Sequence, residues 1–333
     1  MESNKTNETV QGPQADIIGI CLGSTTIVTN LFMVLVILSN KKLKSVIFTI
    51  LSSMFLVGVL SASIYILPRW AFAAFIGDSF FCYILPAVGT AFVINLNMHQ
   101  CLVCIDRYMA VTRPFQYKLR AQTRNVIIIL LMVWLTSILT ALLPATVTFG
   151  QDPINQCQSQ LNSTDLRMDY LVGLTTTFIL MPMVVIIFCY LRIFYIIKSR
   201  SSIIFHQKNN VTQYKSNMIA KNIKAAQQMA VITTFYIIAF LPFITVYLMS
   251  HSNPKLGRSL ALILRLLFIV AFAVPAINPI LYAYYVTSLR EAIVSTLHKS
   301  NSSRIHVKPG KNTTYSSSKV MGENKACPSS SVK

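Results

Sequence analysis

Asp106, Arg107 and Tyr108 place an acid, a strong base and a phenol side by side at the end of a long apolar stretch. The chemistry open to such a triplet is pairing rather than bond making: a carboxylate holds a guanidinium by charge-assisted hydrogen bonds and can release it to another partner. Uncharged polar groups recur singly inside the apolar stretches, at Asn30, Asn97, His99, Gln100 and Asn278. Each needs a partner there, because an unpaired amide or imidazole in hydrocarbon is costly. His99 has the chemistry of a ligand or proton relay, but a lone histidine on an apolar helix reads first as a satisfied interior residue. The sequence has no Ser/His/Asp set, phosphate-binding loop or metal-ligand spacing, so no enzyme, metal or cofactor is expected.

The elements that must position these residues are long apolar runs. Hydrophobic residues make up 54% of the 333 and charged residues only 12%, too apolar a balance for a water-soluble protein of this length. Runs at 17–38, 46–67, 80–104, 126–148, 170–197, 225–249 and 260–285 are each long enough to span a bilayer. The expectation is an all-α membrane protein, a seven-transmembrane helix bundle over 17–285. It is preceded by a segment at 1–16, which lacks the pattern of a cleaved signal peptide. At a rise of about 1.5 Å per residue, the helix from Cys82 to Arg107 reaches roughly 37 Å and carries its two ends to opposite faces.

Charge supplies the orientation. The net charge of +19 would suit a nucleic-acid binder if the basic residues clustered, but they lie at the ends of the apolar runs. Of the 29 Lys and Arg, 23 fall on the Arg107 side and 6 on the other. This puts Arg107 in the cytoplasm and Met1 outside, with no nucleic-acid partner. Asn4, Asn7 and Asn162 then head glycosylation triplets on the outer side, whereas those at Asn210, Asn301 and Asn312 fall inside. Cys82 and Cys157 are the only two of the seven cysteines expected outside the bilayer in the oxidising compartment, and they should form a disulfide. Residues 198–224 read as a cytoplasmic loop. Residues 286–299, with Leu289, Ile293 and Leu297 at four-residue spacing, read as a short amphipathic helix on the membrane surface. The tail at 300–333 is too polar to fold.

From Asp106 through Arg113-Pro114, the chain resembles the inner end of the third helix of rhodopsin-like, or class A, G-protein-coupled receptors. The other helices carry matching marks: Asn30 in the first, Trp134 in the fourth, Pro182 and Tyr190 in the fifth, Phe240-Leu241-Pro242-Phe243 in the sixth and Asn278-Pro279-Ile280-Leu281-Tyr282 in the seventh. The resemblance implies a plasma-membrane receptor with a heterotrimeric G protein as partner, and arrestin and receptor kinases engaging the tail. It implies that Arg107 leaves Asp106 when agonist binds, that Tyr190 and Tyr282 point into the opened crevice, and that Pro242 and Pro279 let the inner halves of their helices swing. A transporter is disfavoured by the absence of repeated halves and interior charges. A receptor-like scaffold without coupling stays open.

Departures from the family pattern shape the remaining expectations. Gly58 stands where the family carries the sodium-binding Asp of the second helix, and Leu96 and Val274 replace two of its polar partners, so the sodium site should be absent. Asn222 stands near the place of the acid that restrains Arg107 from the sixth helix. With both restraints gone, raised basal signalling is expected. Asn97 and Tyr236 are polar where the family is apolar, and a hydrogen bond between them would offset their desolvation. Gly89 occupies the position of the Asp that pairs with amines, and neither Thr90 nor Val93 replaces that charge. Phe272 occupies that of the retinal lysine. The candidate pocket lining of Tyr65, Trp70, Phe240, Phe243, Tyr247, Phe268 and Phe272 suits a neutral or anionic non-amine small molecule, with a short peptide as the alternative. Arg69 and Arg265 lie near its rim, either to meet an anion or to snorkel toward water.

Overall fold

Residues 13–71, 79–120, 122–148, 170, 172–204 and 210–305 are described in this computed structural model. Seven helices among them are long and apolar enough to cross a membrane: Ile17–Ser39, Val46–Trp70, Ala87–Thr112, Thr123–Leu143, Val172–Ser199, Ala220–Ser250 and Lys255–Tyr285. No strand occurs among the described residues, so the bundle is all-α as expected. The helices turn Leu131, Leu139, Phe188, Phe194 and Leu262 outward, which lipid can solvate and water cannot. They turn Leu51, Phe55, Ile94, Val103, Ile186 and Ile232 inward.

The elements overrun the expected boundaries at several ends. The first helix begins at Pro13, within the segment read as preceding the bundle, and proline suits a first turn because that turn has no use for its missing N–H. The fifth helix continues to Ile204 and the sixth starts at Asn210, so most of the loop expected at 198–224 is helical. The seventh is capped by Asn253, whose side-chain oxygen accepts from the backbone N–H of Lys255 and Leu256. After an extended Val286, a last helix runs from Thr287 to Ile305, longer than the expected 286–299. Leu289 and Ala292 are buried at its start, and the Asn40 amide donates to the Ala292 carbonyl at 3.3 Å and to the Thr296 hydroxyl at 3.2 Å. Leu297, the last residue of the expected apolar stripe, is exposed.

Two spanning helices are not regular. A π turn at Ala62–Ile66 interrupts the second and another at Thr176–Leu180 interrupts the fifth. A proline comes two residues after each, Pro68 and Pro182. Proline cannot continue the backbone ladder, and in both helices the ladder is widened just before it. Each extra residue also rotates the remainder of its helix by about 100° around the axis.

Candidate functional site

At the Arg107 end, Arg107 and Asp106 are both buried and paired. The Arg107 Nε donates to Asp106 Oδ2 at 2.9 Å. The second carboxylate oxygen accepts from the Tyr117 hydroxyl at 2.6 Å. Tyr117 lies on a short helix, Pro114–Arg120, that folds back beneath the third spanning helix, and the sequence reading missed it. Burial, and then the adjacent Asp106 carboxylate, push the Tyr117 phenol above its ordinary value, so it stays a donor. Tyr108 is half-buried beside Val111, Tyr190 and Ile193. The Tyr190 hydroxyl bonds the Thr233 hydroxyl at 3.2 Å. Tyr282 is fully buried, edge-on to Phe55 at 5.7 Å, and its hydroxyl has no bonding partner among the described residues; neither have the side-chain amides of Gln100 and Asn278. Asn222 does not reach Arg107 and donates instead to the Ala110 carbonyl at 2.9 Å, tying the sixth helix to the third.

The middle of the bundle is held by two asparagines that use the same device. Proline leaves the carbonyl four residues before it without its usual donor. Four residues before Pro182 is Phe178, whose carbonyl accepts from Asn97 Nδ2 at 2.8 Å. Four residues before Pro279 is Pro275, whose carbonyl accepts from Asn30 Nδ2 at 2.8 Å. Asn97 does more: its Oδ1 accepts from the Tyr236 hydroxyl at 2.9 Å, the bond expected from the sequence. One buried amide thus joins the third, fifth and sixth helices, and neither it nor the phenol has any exposed surface. His99 is satisfied as well, between the Asn95 carbonyl at 2.9 Å and the Ser53 hydroxyl at 2.8 Å, and Trp134 donates to the same hydroxyl at 3.1 Å. This is the structural reading of His99, with no relay built on it.

Toward the Arg69 end, the candidate lining residues come together as a run of rings. Tyr236 stacks on Phe240 at 4.6 Å, Phe240 meets Phe243 edge-on at 6.5 Å, and Phe243 meets Phe268 at 6.0 Å. Phe268 stacks on Phe272 at 4.2 Å and Phe272 meets Tyr65 at a tilt at 5.5 Å, with Tyr247 and Trp70 on the flanks against Phe243 and Phe268. Such pairs add about 0.5–1.5 kcal/mol each beyond the area they bury. Thr90 is half-buried one residue beyond Gly89.

Two glycines explain how this packing closes. A Cβ at Gly89 would stand 2.5 Å from the Tyr65 ring, so the phenol fills the notch where an amine-binding carboxylate would sit. A Cβ at Gly58 would stand 2.5 Å from Asn30 Oδ1, so the asparagine fills the notch where the sodium-binding carboxylate would sit. Beside Gly58 lies a small cavity of about 20 Å³, lined by Gly58, Ser61, Val93, Leu96, Phe240 and Phe272 among others. Its only side-chain polar group is the Ser61 hydroxyl, which donates to the Gly58 carbonyl at 3.0 Å. No cluster able to hold a metal occurs among the described residues. Cys157, Asn4, Asn7 and Asn162 lie outside the described residues, and the side chain of Cys82 does too.

Seven spanning helices, a buried Asp–Arg pair ending the third and prolines within the fifth, sixth and seventh define a seven-helix membrane receptor. The model of the 7 transmembrane receptor (rhodopsin family) matches residues 29–282, and the chain belongs to that family. Among its relatives, octopamine receptor beta-1R of Drosophila melanogaster is 26% identical over 71% of this chain and 50% of its own length. Adenosine receptor A3 of Bos taurus is 24% identical, with 84% of this chain and 87% of the relative covered. Histamine H2 receptor of Rattus norvegicus is 27% identical, with 82% and 76% covered. The chain thus spans half the length of the octopamine receptor and most of the other two. All three are receptors rather than enzymes.

Proposed function

We propose that this chain is a plasma-membrane receptor that binds a non-amine small molecule at its outer, Arg69 end and promotes nucleotide exchange on a heterotrimeric G protein at its cytoplasmic, Arg107 end. The observation that carries the reading is the unbroken ring contact from Phe268 through Phe243 and Phe240 to Tyr236, whose phenol is bonded to Asn97 on the helix that ends in Arg107. A ligand that displaces Phe268 or Phe243 shifts Tyr236 and so strains the one amide that joins three helices. A ligand favours the open state only by the difference in its affinity for the two states, and a ring row ending on a single hydrogen bond supplies such a difference. Opening would release Arg107 from Asp106 and Tyr117 and free Tyr190 from Thr233 to meet Tyr282.

The names of the relatives point two ways, since octopamine and histamine are amines and adenosine is a nucleoside. The non-amine reading rests on Tyr65 filling the Gly89 notch, which leaves a protonated amine no carboxylate there. The test is agonist screening of the expressed chain against amines, nucleosides and carboxylates, read as guanine-nucleotide exchange on chimeric G proteins. Saturable activation by a simple monoamine, retained after Asp152, Asp165 and Asp169 are neutralised, overturns the ligand reading. Failure of every chimera to respond to a saturably bound ligand overturns the coupling.

A further inference from the structure

Arg69 and Arg265 both lie near the rim of the bundle in sequence, and the structure separates them. Arg265 is exposed. Arg69 is half-buried and turned inward, its guanidinium carbon 5.5 Å from the Phe268 ring centre and 5.9 Å from that of Tyr65. An arginine that merely snorkels extends toward water along the lipid side, whereas this one lies against two rings of the candidate pocket. The only carboxylates among the described side chains are Asp106 and Glu291, both at the other end of the bundle, and the only ion pair among the described residues is that of Arg107. Arg69 also hydrogen-bonds the Tyr65 phenol, and because a guanidinium carries five N–H donors in one plane, others remain to meet a carboxylate with two parallel bonds.

We propose that Arg69 anchors the carboxylate of an anionic ligand whose apolar body lies on Phe268, Phe272 and Phe243. The proposal rests on the non-amine reading above and sharpens it: the pocket has lost the acid at Gly89 and carries a base one helix away, so its charge preference is inverted. The Tyr65 ring that fills the Gly89 notch is the same ring the guanidinium packs against. Loss of the acid and placement of the base are therefore one arrangement.

The test uses octanoate and 4-phenylbutyrate as probes, each beside its matched alcohol and amine, on wild type and on Arg69→Gln, Arg69→Lys and Arg69→Glu at matched surface expression. The carboxylates should activate exchange. Arg69→Gln should raise their half-maximal concentration about ten- to a hundredfold, the loss of a charge-assisted bond. Arg69→Lys should restore part of the potency and Arg69→Glu should abolish it. If Arg69→Gln fails to reach the surface, the Lys and Glu variants carry the comparison. Equal potency of a carboxylate on wild type and the Gln or Glu variant overturns the anchor and leaves the non-amine reading standing, as does activation by the alcohols alone. Activation by the amines alone overturns both. No activation by either carboxylate up to its solubility limit also overturns the proposal.

Discussion

The two ends of the bundle treat buried charge in opposite ways. At the Arg107 end the family's acid and base are kept, and a third group, Tyr117, takes the remaining carboxylate oxygen. From the middle toward the Arg69 end, glycines stand at the two positions where the resemblance leads one to expect the sodium-binding acid and, in amine receptors, the amine-binding acid, and a neighbour occupies the space at each: Asn30 over Gly58 and Tyr65 over Gly89. A charge inside a membrane can be retained with its full set of partners or removed with its space refilled, and intermediate arrangements are expensive. The Arg107 end keeps the set, and the other end removes and refills it.

The sharpest way to break that comparison is at the retained end. Arg107→Ala should abolish agonist-driven exchange while surface expression persists, because Arg107 is the only strong base buried there among the described residues. Agonist-driven exchange at wild-type level in that variant would remove Arg107 from the switch and make its pairing with Asp106 a purely structural feature.

At the refilled end, restoring the acids should fail. Gly58→Asp and Gly89→Asp each force a side chain into occupied space, about 1–3 kcal/mol of overpacking, and Gly58→Asp also buries a carboxylate away from any described cation. Both should lower surface expression several-fold, and Gly89→Asp should gain no amine response. Asn30→Ala beside Gly58→Asp, or Tyr65→Ser beside Gly89→Asp, should recover part of the expression by clearing the notch. Full expression of either single variant, measured by cell-surface labelling, would mean that the notches are not filled as described.

These fillings show where the sequence stops being readable. The seven spans, the Asp–Arg pair and the Asn97–Tyr236 bond were legible, because each follows from run length, from residue type, or from two polar groups that had to find one another at the same depth. Tyr65 over Gly89 was not, since the π turn at Ala62–Ile66 rotates the second helix just where a regular helical count assigns its faces. Tyr117 was hidden because it sits in a connection whose return toward Asp106 leaves no periodic mark. The asparagine bonds to Phe178 and Pro275 were half legible. A proline marks a free carbonyl four residues back, and an asparagine at the same depth on a neighbouring helix is its natural donor.

Asn97 offers a gentler test, since it keeps a polar set together near the refilled region. Asn97→Leu leaves both the Tyr236 phenol and the Phe178 carbonyl without this partner and should cost about 1–3 kcal/mol of stability. Tyr236→Phe should cost less, because Asn97 keeps its carbonyl acceptors at 2.8 and 3.3 Å. In thermal inactivation of the purified receptor, the double variant should fall short of the sum of the two losses. Strict additivity would show that the bond carries no coupling.

Single neutral bonds at the Arg107 end should have smaller effects still. Asn222→Ala removes the tie to the Ala110 carbonyl, and Tyr117→Phe removes one donor to Asp106. Each is worth about 1 kcal/mol, a few-fold rise in basal exchange. The wild type should itself sit above vector control, since an amide bonded to a backbone carbonyl is a weaker latch than an acid on Arg107. Wild-type exchange equal to vector control at matched surface expression would show that Asn222 and Asn97 together replace the family's restraints in full.

The smallest expected effect is none at all, and it probes the refilled notch directly. A sodium ion entering the bundle must exchange its water shell for fixed oxygens, and a carboxylate normally supplies most of the compensation. Around Gly58 the lining is Val57, Val93, Leu96, Phe92 and Phe240. The Ser61 hydroxyl donates to the Gly58 carbonyl and the Asn30 Nδ2 donates to the Thr26 and Pro275 carbonyls, so the oxygens on offer there are neutral ones. Replacing sodium chloride by N-methylglucamine chloride at constant ionic strength should therefore leave agonist affinity unchanged, because screening is the same in both and only a specific site could tell the cations apart. A several-fold shift in affinity with sodium would place a cation among neutral oxygens alone, and the contrast between the two ends of the bundle would fail at its middle.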